Sequence, residues 1–385
     1  MKAPRSTKLL VLALTATLAG CLDDSSSSNN DDRRTGQFTL TGVEGVSYQT
    51  QSQSGTTDED GSFRYYPGET ISFAVGDLPI IEDVPVAPFL TSMDFTAEQR
   101  ERLSIGGTDD EGFTSHRVIE EQIASQEPIA VNIMRLLMTL DQDSNASADN
   151  NIEITQRTID QINSYLAEHG DELDIDFSQP ISEFAMAAGQ PLTDSREVSD
   201  INRVLDSICF EEEGDPLCDP LPTQEEIDNA TDEEREELVN KRQAIIDARR
   251  DLQDVEVVQV TDFLLEQAML YKTQVERPFF LRPDAITLHP DDNSLYRIEL
   301  NKAGSGFMLP KTGLEAEVEG EALVLHSFNA ETATVEFFAD GQDGDTGTVL
   351  VNFRVQGDDH DRYRWFRKNV RVCLSDDGRP CSTEG

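Results

Sequence analysis

Hydrophobic periodicity changes twice along this chain, and the second change constrains the fold most. From Pro278 onward the runs SLYRIEL, LEAEVEG, EALVLHSF, TATVEFFAD, GTVLVNFRVQG and RYRWFRKNVRVCL alternate apolar with polar residues, with turn residues between them. Successive side chains of a strand point to opposite faces, so each run buries one face and needs a second sheet to cover it. Six such runs at short spacing predict an immunoglobulin-like sandwich over residues 276–385.

Upstream the period is that of helices. PIAVNIMRLLMTL carries apolar residues at 130, 133, 134, 137 and 140. Thr96 with Gln99, Thr223 with Glu226 and Thr231 with Glu234 have the spacing of capping boxes. A charged helix is expected from Thr231 to Leu252 with a narrow stripe of Leu238, Ile245 and Leu252, and VQVTDFLLEQAMLYKT is apolar enough to be its partner in a helical hairpin. These segments predict a helical domain over 83–275. Before it, residues 36–82 return to short alternating runs between Gly, Asp and Pro, with Phe63 and Tyr65 on the buried face of one strand. The expected fold is therefore α+β and multidomain: a small N-terminal β-sandwich module, a helical domain and the C-terminal sandwich.

The N-terminal stretch has a recognisable pattern: Val46-Ser47-Tyr48-x-Thr50, then Ser54-Gly55-x-Thr57-Asp58, Gly61-x-Phe63-x-Tyr65 and Gly68-Glu69-x-Ile71-x-Phe73. It resembles the carboxypeptidase-regulatory or prealbumin-like modules of bacterial surface lipoproteins. The resemblance implies a fold and no ligand.

Lys2, Arg5 and Lys8 precede an apolar stretch from Leu9 to Leu18, the layout of a secretory signal and too short to span a bilayer. It ends in Leu18-Ala19-Gly20-Cys21, which is similar to the lipobox of bacterial lipoproteins. That resemblance implies cleavage of residues 1–20 and acylation of Cys21, giving a membrane anchor of three chains, each buried CH₂ adding about 0.8 kcal/mol. Leu22 in place of an aspartate favours the outer membrane in the enteric-type sorting rule, and the polar residues through 35 read as a tether.

The sequence holds 31 basic and 75 acidic residues, a formal charge of −44 that becomes −47 once the three bases of the signal are removed. Such a balance excludes binding to nucleic acid through phosphate neutralisation and suits a salt-adapted organism. The one basic cluster, Arg362, Arg364, Arg367, Lys368 and Arg371 interleaved with Tyr363 and Trp365, either grips an acidic polysaccharide or lipid headgroup or pairs with an acidic face of the chain itself.

Four cysteines remain beyond Cys21, in the close pairs Cys209 with Cys218 and Cys373 with Cys381. Four permit three connectivities, and an exported chain favours disulfides in local pairs. A zinc site is the competing reading, without a Cys-x-x-Cys or adjacent histidine to support it. Asp141, Asp143, Asn145, Ser147 and Asp149 alternate oxygen-bearing side chains between two expected helices, as in a calcium loop. Ala146 stands where such a loop has glycine and Ile152 where it has its bidentate Glu, so an acidic helix-capping loop is the alternative. A second acidic turn, Asp340, Asp343 and Asp345, reads as a hairpin end.

His116, His169, His289, His326 and His360 lie far apart, and no nucleophile elbow, phosphate loop or metalloprotease motif is present. The expectation is a lipid-anchored outer-membrane protein that binds or supports envelope components, with an envelope protein or polysaccharide as partner, and without catalysis. The alternatives are an accessory lipoprotein of an envelope transport or export system, and a hydrolase of envelope polymers.

Overall fold

The structure, a computed structural model, describes residues 32–144, 151–186, 198–304, 307–308, 313–357 and 363–380. The described part is mixed α and β, with strands at both ends and helices between.

Eight strands open it: β1 (Arg34–Phe38), β2 (Val43–Glu44), β3 (Ser47–Thr50), β4 (Ser54–Thr56), β5 (Ser62–Tyr65), β6 (Thr70–Val75), β7 (Leu78–Pro85) and β8 (Phe89–Leu90). They form one sheet in the order β5-β1-β8 and another in the order β4-β3-β6-β7. The sheets meet through aromatic rings, Phe38 of β1 stacking on Phe73 of β6 at 4.8 Å and Phe63 of β5 meeting Phe73 edge-on at 5.6 Å. Phe63 and Tyr65 are both buried, as their alternation predicts.

The helices follow as α1 (Ala97–Ile105), α2 (Arg117–Gln126), α3 (Pro128–Leu140), α4 (Gln156–His169), α5 (Ile181–Phe184), α6 (Asp200–Leu205), α7 (Gln224–Asn229), α8 (Asp232–Asp247) and α9 (Val257–Glu276). All three expected capping boxes form, at Thr96, Thr223 and Thr231. In α3 every residue from Ala130 to Leu140 is buried, polar ones included. The donors among them find partners: Asn132 donates from Nδ2 to the carbonyls of Phe177 and Gln179, and Arg135 donates from Nε to the carbonyl of Val255 at 2.6 Å.

One hydrophobic cluster runs from Phe38 to Ala268, crossing the expected boundary at residues 82 and 83. Gln267 of α9, fully buried, ties the two regions by accepting the N–H groups of Leu40 at 2.8 Å and Thr41 at 3.2 Å.

The helical hairpin expected of α8 and α9 does not form. α9 packs against α2 and α3, while α8 packs against α7 and the turn Pro216–Cys218. The difference follows from the faces. α9 spends Val260, Phe263, Leu264 and Ala268 on the main cluster, whereas α8 buries Ile245 alone and is too charged to replace α3 as its neighbour.

Two short strands, β9 (Gly107–Thr108) and β10 (Thr114–Ser115), pair as an arm before α2, and β11 (Ile152–Glu153) pairs with β2. The remaining strands are β12 (Phe279–Arg282), β13 (Ala285–Leu288), β14 (Tyr296–Lys302), β15 (Phe307–Met308), β16 (Leu314–Glu319), β17 (Leu323–Asn329), β18 (Thr334–Ala339), β19 (Thr346–Gly357) and β20 (Tyr363–Leu374). They build one sheet in the order β12-β14-β18-β17 and a second in the order β13-β20-β19-β15, with β16 also on β19. Phe279 from the first sheet and Phe353 from the second meet at 5.2 Å inside a separate core. α9 is the spine between the two cores: its Val275 is buried in the sandwich, and its Tyr271 stacks on Phe89 at 4.9 Å. No helix among the described residues is long and apolar enough to cross a membrane.

Candidate ligand cleft at the helix–sandwich junction

The basic strand β20 decides what lies between the helices and the sandwich. Its Arg364 and Lys368 on one face and Arg367 on the other meet groups that are 90 or more residues away in sequence. Arg364 meets Asp94 at 3.3 Å, Arg367 binds both Asp109 and Glu111, and Lys368 meets Glu276 at 2.7 Å. Arg367 also lies over the Phe113 ring, 4.5 Å from its centroid. Asp109 carries its carboxyl below the ordinary range: burial pushes it up, but hydrogen bonds from Arg367, Phe113 and Glu111 outweigh that. Much of the basic cluster is thus spent on acidic neighbours of the same chain. Arg371 is exposed, and Arg362 lies outside the described residues.

The arm β9–β10 is stitched to the sandwich by neutral donors as well. Glu315 of β16 accepts the Thr114 N–H at 3.0 Å, the Thr114 hydroxyl at 2.7 Å and the Asn352 amide at 2.8 Å. Between this arm, α2, α9 and β20 lies a polar cleft of about 560 Å³, lined by Asp110, Ser115, Arg117, Glu121, Lys272 and Trp365. A smaller cavity of about 60 Å³ adjoins it, bordered by His116, Glu120, Tyr271 and Arg364.

His116, at the start of α2, is 6% exposed, and its Nε2 accepts the backbone N–H of Trp365. That role places the proton of the neutral ring on Nδ1. Burial holds this imidazole well below its ordinary pKa, and Arg364, Lys272 and Arg354 add to the effect. One turn along α2, burial raises Glu120, with Arg364 and Lys272 opposing the shift. The basic nitrogen of the imidazole is therefore occupied by an N–H, which does not leave it poised as a general base. The cleft offers an indole, an ammonium, hydroxyls and carboxylates to a ligand, a surface fitted to holding a polar molecule.

The other sequence-derived sites are placed as follows. Asp141 caps α3, is buried, and accepts the Glu153 N–H at 2.9 Å, while its backbone carbonyl accepts from Arg250. Asp143 is exposed, and Asn145, Ser147 and Asp149 lie outside the described residues. Among the described residues no group of three or more His, Cys, Asp or Glu side chains is arranged to hold a metal ion. Asp345 closes the second acidic turn by accepting the Gln342 N–H, and Asp343 ties it to the segment after β20 by accepting the Asp376 N–H. His169 packs on Tyr165 and His326 on Phe338, and His360 lies outside the described residues.

Cys209 and Cys218 form a disulfide with Cα atoms 5.4 Å apart. The loop is fixed to α4 by Gln161, which accepts the Cys209 N–H at 2.8 Å. Cys373 is buried at the end of β20, and Cys381 lies outside the described residues. Replacing Cys209 and Cys218 together with serine is expected to lower stability by about 2–3 kcal/mol, read by urea denaturation. An unchanged midpoint would show that packing alone holds this loop.

Asp94, His116, Glu120 and Lys272 were not distinguished by the sequence. The need of a basic strand for acidic partners is a signal for Asp94 alone and gives neither its identity nor its place, and nothing in the sequence points to His116, Glu120 or Lys272.

No family model matches the chain, and no curated protein matches it. Among solved structures, the ASH / PapD-like domain of human CEP192 (PapD-like domain 7) is similar at 11% identity over 25% of this chain and 84% of that one, with a TM-score of 0.15. A score that low carries no argument about fold or function.

Proposed function

We propose that this chain is an exported lipoprotein, anchored in the outer membrane through acyl groups on Cys21, and that it serves the cell envelope by binding or by structural support without catalysis. The observation that carries the proposal is the sequence Leu18-Ala19-Gly20-Cys21 at the end of a short apolar run preceded by Lys2, Arg5 and Lys8. The Cys209–Cys218 disulfide supports it, because such bonds persist in oxidising compartments outside the cytosol. In this reading the C-terminal sandwich is an immunoglobulin-like binding domain, and the junction cleft is where an envelope protein or polysaccharide is held.

Cys21→Ser tests the anchor. The variant is expected to leave the outer-membrane fraction or to keep its signal. A processed variant that still partitions with the outer membrane in detergent phase separation would overturn the anchor.

A further inference from the structure

The outer edge of β20 is paired with β13 only along Arg371–Leu374. At Trp365 the strand pairs with Arg354 of β19 on its inner side, and the Trp365 N–H on the outer side is taken up by His116. A backbone N–H inside a protein needs an acceptor, and an imidazole nitrogen accepts only while it carries no proton. Most other bonds from the helices and arm to the sandwich depend on carboxylates, Asp94 with Arg364, Asp109 and Glu111 with Arg367, Glu276 with Lys368, and Glu315 with Thr114, while the Asn352 amide donates to the Thr114 carbonyl at 2.9 Å. Apolar contact across the junction is concentrated at the end of α9, around Tyr271 and Val275.

We propose that this junction is an acid-sensitive latch: proton uptake by His116 removes the acceptor of the Trp365 N–H, sets a cation among Arg364, Arg354 and Lys272, and frees α2 and the β9–β10 arm from β20 while both cores stay folded. The charged groups around the ring are Arg117 and Glu120 of α2, Lys272 of α9, Arg354 of β19, Arg364 of β20, and Asp94 beyond it. From α1 comes the backbone carbonyl of Leu103, which favours the charged ring and is outweighed.

The sign follows from proton linkage. His116 is held below 6.5 in the closed junction and returns toward 6.5 when the junction opens, so below that pH the open form binds more protons and closure weakens as pH falls. Glu120 acts in the opposite sense. It is raised above 4.5 when closed, takes up a proton more readily there, and favours closure as pH falls toward 4.5. Asp109, held below the ordinary carboxyl range by its bonds from Arg367, Phe113 and Glu111, weakens the latch further when it is protonated at still lower pH.

Trp365 is the single tryptophan of the chain, so its fluorescence reports on this contact alone. On the full chain in detergent, titrated downward from pH 8, Trp365 emission is expected to change before the far-UV circular dichroism does. His116→Gln keeps an acceptor that does not titrate and should move the emission midpoint to lower pH. Glu120→Gln removes a carboxylate whose charge the closed junction disfavours, so it strengthens closure and should also move the midpoint to lower pH. Emission and dichroism lost together in the wild type, or a shared midpoint for wild type and His116→Gln, would overturn the latch. Circular dichroism at pH 8 checks that His116→Gln is folded. Should it not be, Glu120→Gln decides, and an unchanged or raised midpoint in that variant overturns the proposal.

Discussion

Asp94→Ala is expected to lower the stability of the chain by about 3–5 kcal/mol, the range seen when one member of a buried ion pair is removed. Asp94 is 3% exposed and serves both of its oxygens. Oδ2 closes a capping box by accepting the N–H of Thr91 at 3.2 Å and its hydroxyl at 3.3 Å, and Oδ1 faces Arg364 at 3.3 Å. Alanine opens the box and takes the Asp94 carboxylate away from Arg364, which stands in the junction near Lys272 and a neutral His116. Urea denaturation at pH 8 measures the loss. The double variant Asp94→Ala with Arg364→Met should recover part of it, because an apolar side chain of similar length removes the charge that Asp94 balanced. A loss below about 1 kcal/mol for the single variant would mean that the pair behaves like an exposed one.

What was legible in the sequence was local. The capping boxes at Thr96, Thr223 and Thr231 need only a hydroxyl and a carboxylate or amide three residues later, and all three form. The alternation of SFRY and of the six C-terminal runs fixes which face is buried, because a strand has only two faces. α3 was legible as a helix but not as one buried all round. Its period marks one apolar stripe, while Asn132 and Arg135 find partners that no spacing within the helix reveals, and Thr139 returns its hydroxyl to the Arg135 carbonyl one turn back.

The junction was illegible because its partners are far apart along the chain. Thr114 and Glu315 stand 201 residues apart, and Arg367 and Asp109 stand 258 apart. Gly45 shows the same limit at one position. In the sequence it reads as turn punctuation, but its φ of +88° places a Cβ 2.1 Å from the carbonyl oxygen of Ile154, where β11 runs beside β2. Both the backbone conformation and the close approach require glycine there, and only the second explains why the turn lies against this particular segment. The misplaced helical hairpin has a related cause: amphipathic helices advertise that they need a partner without saying which one.

Phe38→Ala is expected to destabilise the chain by about 3–5 kcal/mol and to do so across strands and helices together. Phe38 is fully buried at the end of β1, with its ring 4.8 Å from Phe73 of β6 and 5.7 Å from Phe95, the residue that leads into α1. It therefore joins both N-terminal sheets to the first helix, within the cluster that continues to Ala268 of α9. Were residues 36–82 an independent module, the variant would melt that module early and leave the helical dichroism in place. A shared core predicts one lowered transition in which strand and helix signals fall together. Phe353→Ala is the control, since Phe353 is buried in the other core against Phe279 and Phe366. It should lower the melting of the sandwich and quench the order around Trp365 while the helical signal up to α9 survives to higher temperature. Calorimetry with far-UV dichroism separates the cases: a strand transition well ahead of the helical one in Phe38→Ala would refute the shared core, and a single joint transition in Phe353→Ala would show that α9 couples the two cores into one cooperative unit.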